Sequence, residues 1–166
     1  QETTFTDVEF TGVFGGTVYD GSFYNAPSGS QPWAGFANED VSLYPLSFVD
    51  GGSITFTGST PEMSATDVYF RFEYNPYPDT EPSFNTVPVT VSGEASSYSI
   101  DIPSQGSNTF SSFLLYVTTQ DVSVTLTDIT VTASFSSSDV YGCTDATATN
   151  YDPDATIDDG SCVLPI

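Results

Sequence analysis

Histidine and lysine are absent from this 166-residue sequence, and arginine occurs once, as Arg71. Against that single cation stand 22 aspartates and glutamates, for a formal net charge of −21. A surface of this sign repels nucleic acid, anionic lipid and acidic polysaccharide, and no basic cluster offsets it. Without histidine or a free cysteine, the usual nucleophile–base systems of hydrolases cannot be assembled. The two cysteines, Cys143 and Cys162, form no CxxC motif and have no histidine with which to build a zinc site. They are expected to pair as a disulfide, which places the chain in an oxidising, secreted or cell-surface setting. No apolar run approaches the roughly 18 residues of a membrane helix, so membrane insertion is not expected. No signal peptide is visible either, so the chain is expected to begin after processing or to be cut from a longer protein.

Charge this lopsided can mean disorder, but the aromatic content of 14% and the many β-branched residues argue for a packed core. The excess acid reads as a solvated surface, as expected of a protein from salty water, with some carboxylates reserved for calcium. Amphipathic helical segments of useful length are also missing, and period-two alternation takes their place. Ile54 and Phe56 alternate with threonine, and Val68, Phe70, Phe72 and Tyr74 share one face of their run. Val87, Val89 and Val91 flank Pro88, which marks an edge strand, since proline cannot donate to a ladder. Further sets are Tyr98, Ile100 and Ile102, then Phe113, Leu115 and Val117. Val122, Val124 and Leu126 give way to Ile129, Val131, Ala133 and Phe135, and that phase change requires a bulge or turn near Thr127–Asp128.

Breaker clusters such as NAPSGSQP, VDGGS and NPYPDTEPS separate these runs. Short strands punctuated in this way predict an all-β fold, an antiparallel β-sandwich of the jelly-roll kind. Ser136–Ser138 reads as a hinge, after which alternation is lost and Asp, Thr and Asn dominate. The predicted division is therefore 1–137 as the sandwich and 138–166 as a small, loop-rich, disulfide-closed appendage.

Two resemblances follow from particular phrases. WAGFANEDVSLYPLSF, GGSITFTG, VYFRFEYNPYPDTEPSF and QGSNTFSSFLLYVTTQDVSVTLTDITVTA resemble the non-catalytic sandwich modules attached to laminarinase-type glycoside hydrolases of marine bacteria. The tail GCTDATATNYDPDATIDDGSC resembles a short Cys-bounded, Asp-rich module of secreted multidomain proteins from such bacteria. The resemblance implies a polysaccharide partner, a β-1,3-glucan such as laminarin, and a covalently linked catalytic or surface domain.

The candidate site residues lie opposite the core set. If Val68, Phe70 and Phe72 face inward, Tyr69, Arg71 and Glu73 project from the other face. Sugars are held by aromatic faces and by planar charged donors that bridge hydroxyls, and the guanidinium fork suits that task when a carboxylate steadies it. The same residues also read as a structural ion pair clamping the sheet. Trp33, the sole tryptophan, is a candidate platform for a sugar ring, with Phe36 as its anchor, or alternatively a cap on the core. Tyr77, in a proline-stiffened loop, is a second platform or a packing residue. Tyr116 and Gln120 either extend the groove or simply face solvent.

Calcium has two expected homes. Sugar-binding jelly rolls commonly tie their first and last strands with a structural Ca²⁺, and the matching positions are Glu9 and Asp128. In the tail, Asp145, Asn150, Asp152, Asp154, Asp158 and Asp159 supply oxygen ligands of the kind a hard cation takes, without the twelve-residue EF-hand pattern. The alternative there is a solvated acidic loop. Catalysis is not expected: a pair such as Glu73 with Asp79 or Glu81 could be imagined as a glycosidase couple, but 22 acids make some pair inevitable. The competing reading for the whole chain is a structural or adhesive surface domain stabilised by calcium, with no glycan site.

Overall fold

The computed structural model of the chain describes residues 2–78, 80–134 and 140–166. It contains two compact units, one of Glu2–Ser134 and one of Phe135–Ile166 with Gln1. The expected hinge at Ser136–Ser138, Phe135 and Asp79 lie outside the described residues.

Ten strands build the sandwich of the larger unit: β1 (Glu2–Phe5), β2 (Gly12–Phe14), β3 (Gly35–Ala37), β4 (Gly52–Ser59), β5 (Ala65–Glu73), β6 (Ser83–Asn85), β7 (Val89–Ser92), β8 (Ser96–Ile102), β9 (Ser112–Val117) and β10 (Thr125–Ser134). One sheet has the order β1-β10-β4-β8, and the other β7-β5-β9-β3-β2, with β6 pairing the far end of β5. Every pairing in both sheets is antiparallel. From β4 onward the chain crosses repeatedly between the sheets, the jelly-roll habit. The fold is thus the all-β antiparallel sandwich that the alternation predicts.

Between the sheets lies one core. Ile54 and Phe56 from β4, Val68, Phe70 and Phe72 from β5, and Phe113 and Leu115 from β9 are almost fully buried in it. Phe72 stacks on Phe113 at 4.4 Å, and Phe10 meets Phe113 edge-on at 4.9 Å. Burying each such ring contributes about 1.5–3 kcal/mol. The expected bulge is present: the β10 register shifts between Thr127 and Thr130, with Asp128 at φ 54°. It moves the buried set from Val124 and Leu126 to Ile129, Val131 and Ala133.

Two expectations are corrected here. Tyr74 does not join the core face, because β5 ends at Glu73 and the Tyr74 N–H turns to the Pro82 carbonyl, leaving the ring exposed. Val87 is exposed as well, since the edge strand β7 begins only at Val89, after Pro88.

In the smaller unit, Tyr141–Gly142 pairs in parallel with Ile157–Asp158. Cys143 and Cys162 form a disulfide across 19 residues, with Cα atoms 4.9 Å apart. Closing a loop of this size stabilises the unit by about 3 kcal/mol on chain-entropy grounds, which matters where so few apolar side chains are buried. Among the described residues no helix is long and apolar enough to cross a membrane.

Candidate functional site

The alternation that buries Val68, Phe70 and Phe72 turns Tyr69 and Arg71 to the outer face of the second sheet. There Tyr69 lies directly opposite Tyr116 on β9, and the two rings stack at 5.1 Å and 15°. Phe14 on β2 meets Tyr116 edge-on at 6.1 Å. Trp33 lies nearly parallel to Phe14 at 6.4 Å. Four aromatic rings therefore form a row across the strands. Gly35 on β3 makes the row possible: a Cβ at that position would come within 2.8 Å of the Tyr116 ring and 2.9 Å of the Phe14 ring.

The rings are not equivalent. Tyr69 and Tyr116 each cover one face of the other, so they form a wall with polar hydroxyl tips. Trp33 is 61% exposed and is the most open ring of the row. Phe36 is fully buried and packs edge-on against Tyr24 in the core, whereas the ring that Trp33 meets is Phe14.

The loop carrying Trp33 is held at several points. The Gln31 N–H donates to the Gly15 carbonyl at 2.8 Å, and Ala34 N–H to the Gln31 carbonyl at 3.0 Å. Gly15 has φ 74°, and a Cβ there would lie 2.6 Å from Ala34 Cα, so only glycine permits this approach. At the other end the Ser28 hydroxyl donates to Asp121 Oδ2 and the Ser28 N–H to Oδ1. These two hydrogen bonds, the hydroxyl first, lower the Asp121 pKa below the usual aspartate value. Platforms held in advance lose less entropy on binding.

Arg71 is tethered rather than loose. Its Nε donates to Glu73 Oε2 at 3.0 Å, Nη1 to Asn85 Oδ1 at 3.0 Å, and Nη2 to Ser83 Oγ at 3.1 Å. Glu73 does not project freely as expected. It is 8% exposed, and its Oε1 accepts a hydrogen bond from the Ser112 hydroxyl at 2.9 Å. The ion pair read from the sequence is thus present, and it fixes the guanidinium at one end of the outer face, beside Tyr69.

Other candidates fall elsewhere. Tyr77 is 93% exposed in the loop between β5 and β6, and among the described residues it makes no ring contact. Gln120 lies beyond the end of β9 and donates to the Ser30 carbonyl at 3.5 Å, bracing the Trp33 loop. Glu81 accepts from the Ser83 N–H at 3.1 Å.

Glu9 and Asp128 line separate depressions. Glu9 shares one of about 170 Å³ with Asp7, Glu39 and Asp40, while Asp128 lies at one of about 410 Å³ on the outer face of the first sheet. In the tail the carboxylates cap their own turns: Asp145 accepts from Thr147, Asp152 from the Asp154 N–H, Asp158 from the Gly160 N–H and Asp159 from the Ser161 N–H. Asn150 bridges Ser161 and Val163. Among the described residues no three acidic or cysteine side chains converge as metal ligands.

Phe14 and Gly35 were not singled out from the sequence. Their strands have three residues each, too few for alternation to stand out. The signal that was there is Gly35 between Trp33 and Ala37, a strand position emptied of its side chain.

No family model and no curated protein sequence matches this chain. Solved structures do. A family 29 carbohydrate-binding module from Piromyces equi superposes with a TM-score of 0.53 at 13% identity, over 80% of this chain and 91% of that one. A mutant family 29 module complexed with mannohexaose gives 0.53 at 15% identity, over 80% and 92%. Another mutant family 29 module gives 0.51 at 17% identity, over 80% and 92%. At such identities the likeness is one of fold: the chain carries a β-sandwich like that of carbohydrate-binding modules.

Proposed function

We propose that the larger unit is a non-catalytic carbohydrate-binding module that holds a neutral polysaccharide on the outer face of its second sheet. The observation that carries this reading is the aromatic row ending in the exposed Trp33. Trp33 would stack on a sugar ring, with Tyr77 as a further platform at the loop rim. Tyr69 and Tyr116 would offer their hydroxyls, and Arg71, steadied by Glu73, a charged donor edge. The net charge of −21 favours an uncharged ligand, and binding should be insensitive to salt.

The ligand proposed first is a β-1,3-glucan such as laminarin, on the strength of the sequence resemblance. A mannan-type chain is its nearest competitor, because a module of similar fold is complexed with mannohexaose. The setting proposed is a secreted or surface protein in which a linked domain acts on, or is held at, the same polysaccharide. Affinity electrophoresis in laminarin, mannan and alginate gels tests the reading. Retardation by a neutral glycan that disappears in Trp33→Ala supports it, and migration unchanged in every gel overturns it.

Calcium remains a proposal for the tail alone. A cation there would have to draw Asp152, Asp158 and Asp159 away from the turns they cap, with Asp154 as a further ligand. Calorimetric titration of chelator-treated protein with Ca²⁺ tests this. Heat that is lost in Asp158→Asn supports a tail site, and no heat removes calcium from the reading.

A further inference from the structure

Beside the aromatic row, one pleat along the strands, runs a second cross-strand row: Asn85, Arg71, Leu114, Ala37 and Gly12, each opposite the next in register. Its side chains shrink steadily from Arg71 to Gly12. The neighbouring row, about 7 Å away, instead rises in Tyr69, Tyr116 and Phe14. Leu114 lies outside the core cluster, on the outer face, and its side chain is 8% exposed.

The β2 end of this lane is occupied by a carboxylate. A Cβ on Gly12 would come 3.0 Å from Glu39 Cδ and 3.3 Å from the Ala37 methyl, so Glu39 lies directly over Gly12. The Thr11 hydroxyl donates to Glu39 Oε1 at 2.9 Å and holds it there. The lane thus has an apolar floor, an aromatic wall along one side, a guanidinium at one end and a pinned carboxylate at the other.

This pattern matches the two-sided chemistry of a pyranose chain, whose C–H surfaces seek apolar contact while its hydroxyl edges seek charged partners. We infer that the glycan lies across the strands in this lane, over Leu114 and Ala37, and that Glu39 accepts hydrogen bonds from its hydroxyls. Ala37 sets the depth and is the specificity-determining position, while Gly12 leaves the space that Glu39 fills. The lane crosses four strands, about 14 Å at ordinary strand spacing, and is one residue row wide. It therefore takes a linear, unbranched stretch, since a branch toward the wall would strike Tyr116 or Phe14. The inference rests on the carbohydrate-binding reading above and adds the chain's path and the residues that gauge it.

The test is calorimetric titration of the full chain with laminarihexaose and mannohexaose, comparing wild type with Ala37→Leu, Glu39→Gln and Trp33→Ala. Thr55→Leu, on the outer face of the first sheet, is the control, and near-ultraviolet circular dichroism reports whether each variant is folded. The expected result is a loss of about tenfold for Ala37→Leu and a smaller loss for Glu39→Gln, with Thr55→Leu unchanged. Wild-type affinity in both Ala37→Leu and Glu39→Gln, alongside weakened Trp33→Ala, overturns the lane and places the glycan at the loop rim, with the module reading intact. No binding of either sugar, nor of any neutral glycan, by wild type would sink the module reading itself, and the lane with it.

Discussion

Trp33 and Phe14 lie 8° from parallel, with ring centroids 6.4 Å apart, so the exposed indole is backed by a ring from the sheet. Because the two share one contact, their effects on glycan binding are coupled. Trp33→Ala is expected to weaken binding by about tenfold or more, and Phe14→Ala by part of that. The double variant should lose less than the two single losses combined, measured by a double-mutant cycle in calorimetry. Fully additive losses would mean that Phe14 contacts the sugar independently.

Gly35→Ala places a methyl where Tyr116 and Phe14 already stand, within 2.8 and 2.9 Å. The rings must move apart, and overpacking of this kind costs about 1–3 kcal/mol. Chemical denaturation should show that destabilisation, and glycan affinity should fall with it. Unchanged stability would mean that the row yields more easily than its spacing implies.

Glu73 neutralises Arg71 and accepts from the buried Ser112 hydroxyl. Glu73→Ala leaves both donors without their acceptor and is expected to cost about 1–3 kcal/mol in urea unfolding. Glu73→Gln, which keeps one acceptor oxygen, should cost less. Equal losses would show that packing rather than charge and hydrogen bonding explains the site.

Acid sensitivity follows from the Asp turns. Hydrogen bonds to Ser or Thr hydroxyls and to backbone N–H groups lower the pKa of Asp20, Asp40, Asp121, Asp145 and Asp159 in the folded chain. A carboxyl depressed on folding stabilises above its unfolded pKa, and that contribution is lost as pH falls through its folded value. Self-repulsion at −21 charge acts in the opposite direction and is relieved by mild acid or by salt. Melting temperature should therefore rise with added NaCl at pH 7 and hold toward about pH 4.5. It should then drop below about pH 4, as scanning calorimetry can follow. A steady decline from neutrality would contradict this ordering.

Much of the sandwich was legible because period two is a strong signal in long strands. β5 and β10 declared themselves through Val68, Phe70 and Phe72 and through Ile129, Val131 and Ala133, and even the bulge at Asp128 was forced by their phase. The limits were local. Alternation carries no end mark, so Tyr74 read as one more core residue although the strand stops at Glu73. Tyr69 and Arg71 could be placed on the outer face from one strand alone. That Tyr69 stands against Tyr116, or Phe14 beside Trp33, depends on register between distant strands, which no single run encodes. Glu73 shows the same limit: parity turned it outward, whereas Ser112 and Arg71 enclose it.

Proteases of the trypsin type cut after lysine or arginine, and this chain offers them a single bond, Arg71–Phe72. That bond lies inside β5, paired on one side by β9 and on the other by β6. A protease needs an extended, unpaired segment, so the folded chain presents no cleavable site to such enzymes until the second sheet itself comes apart.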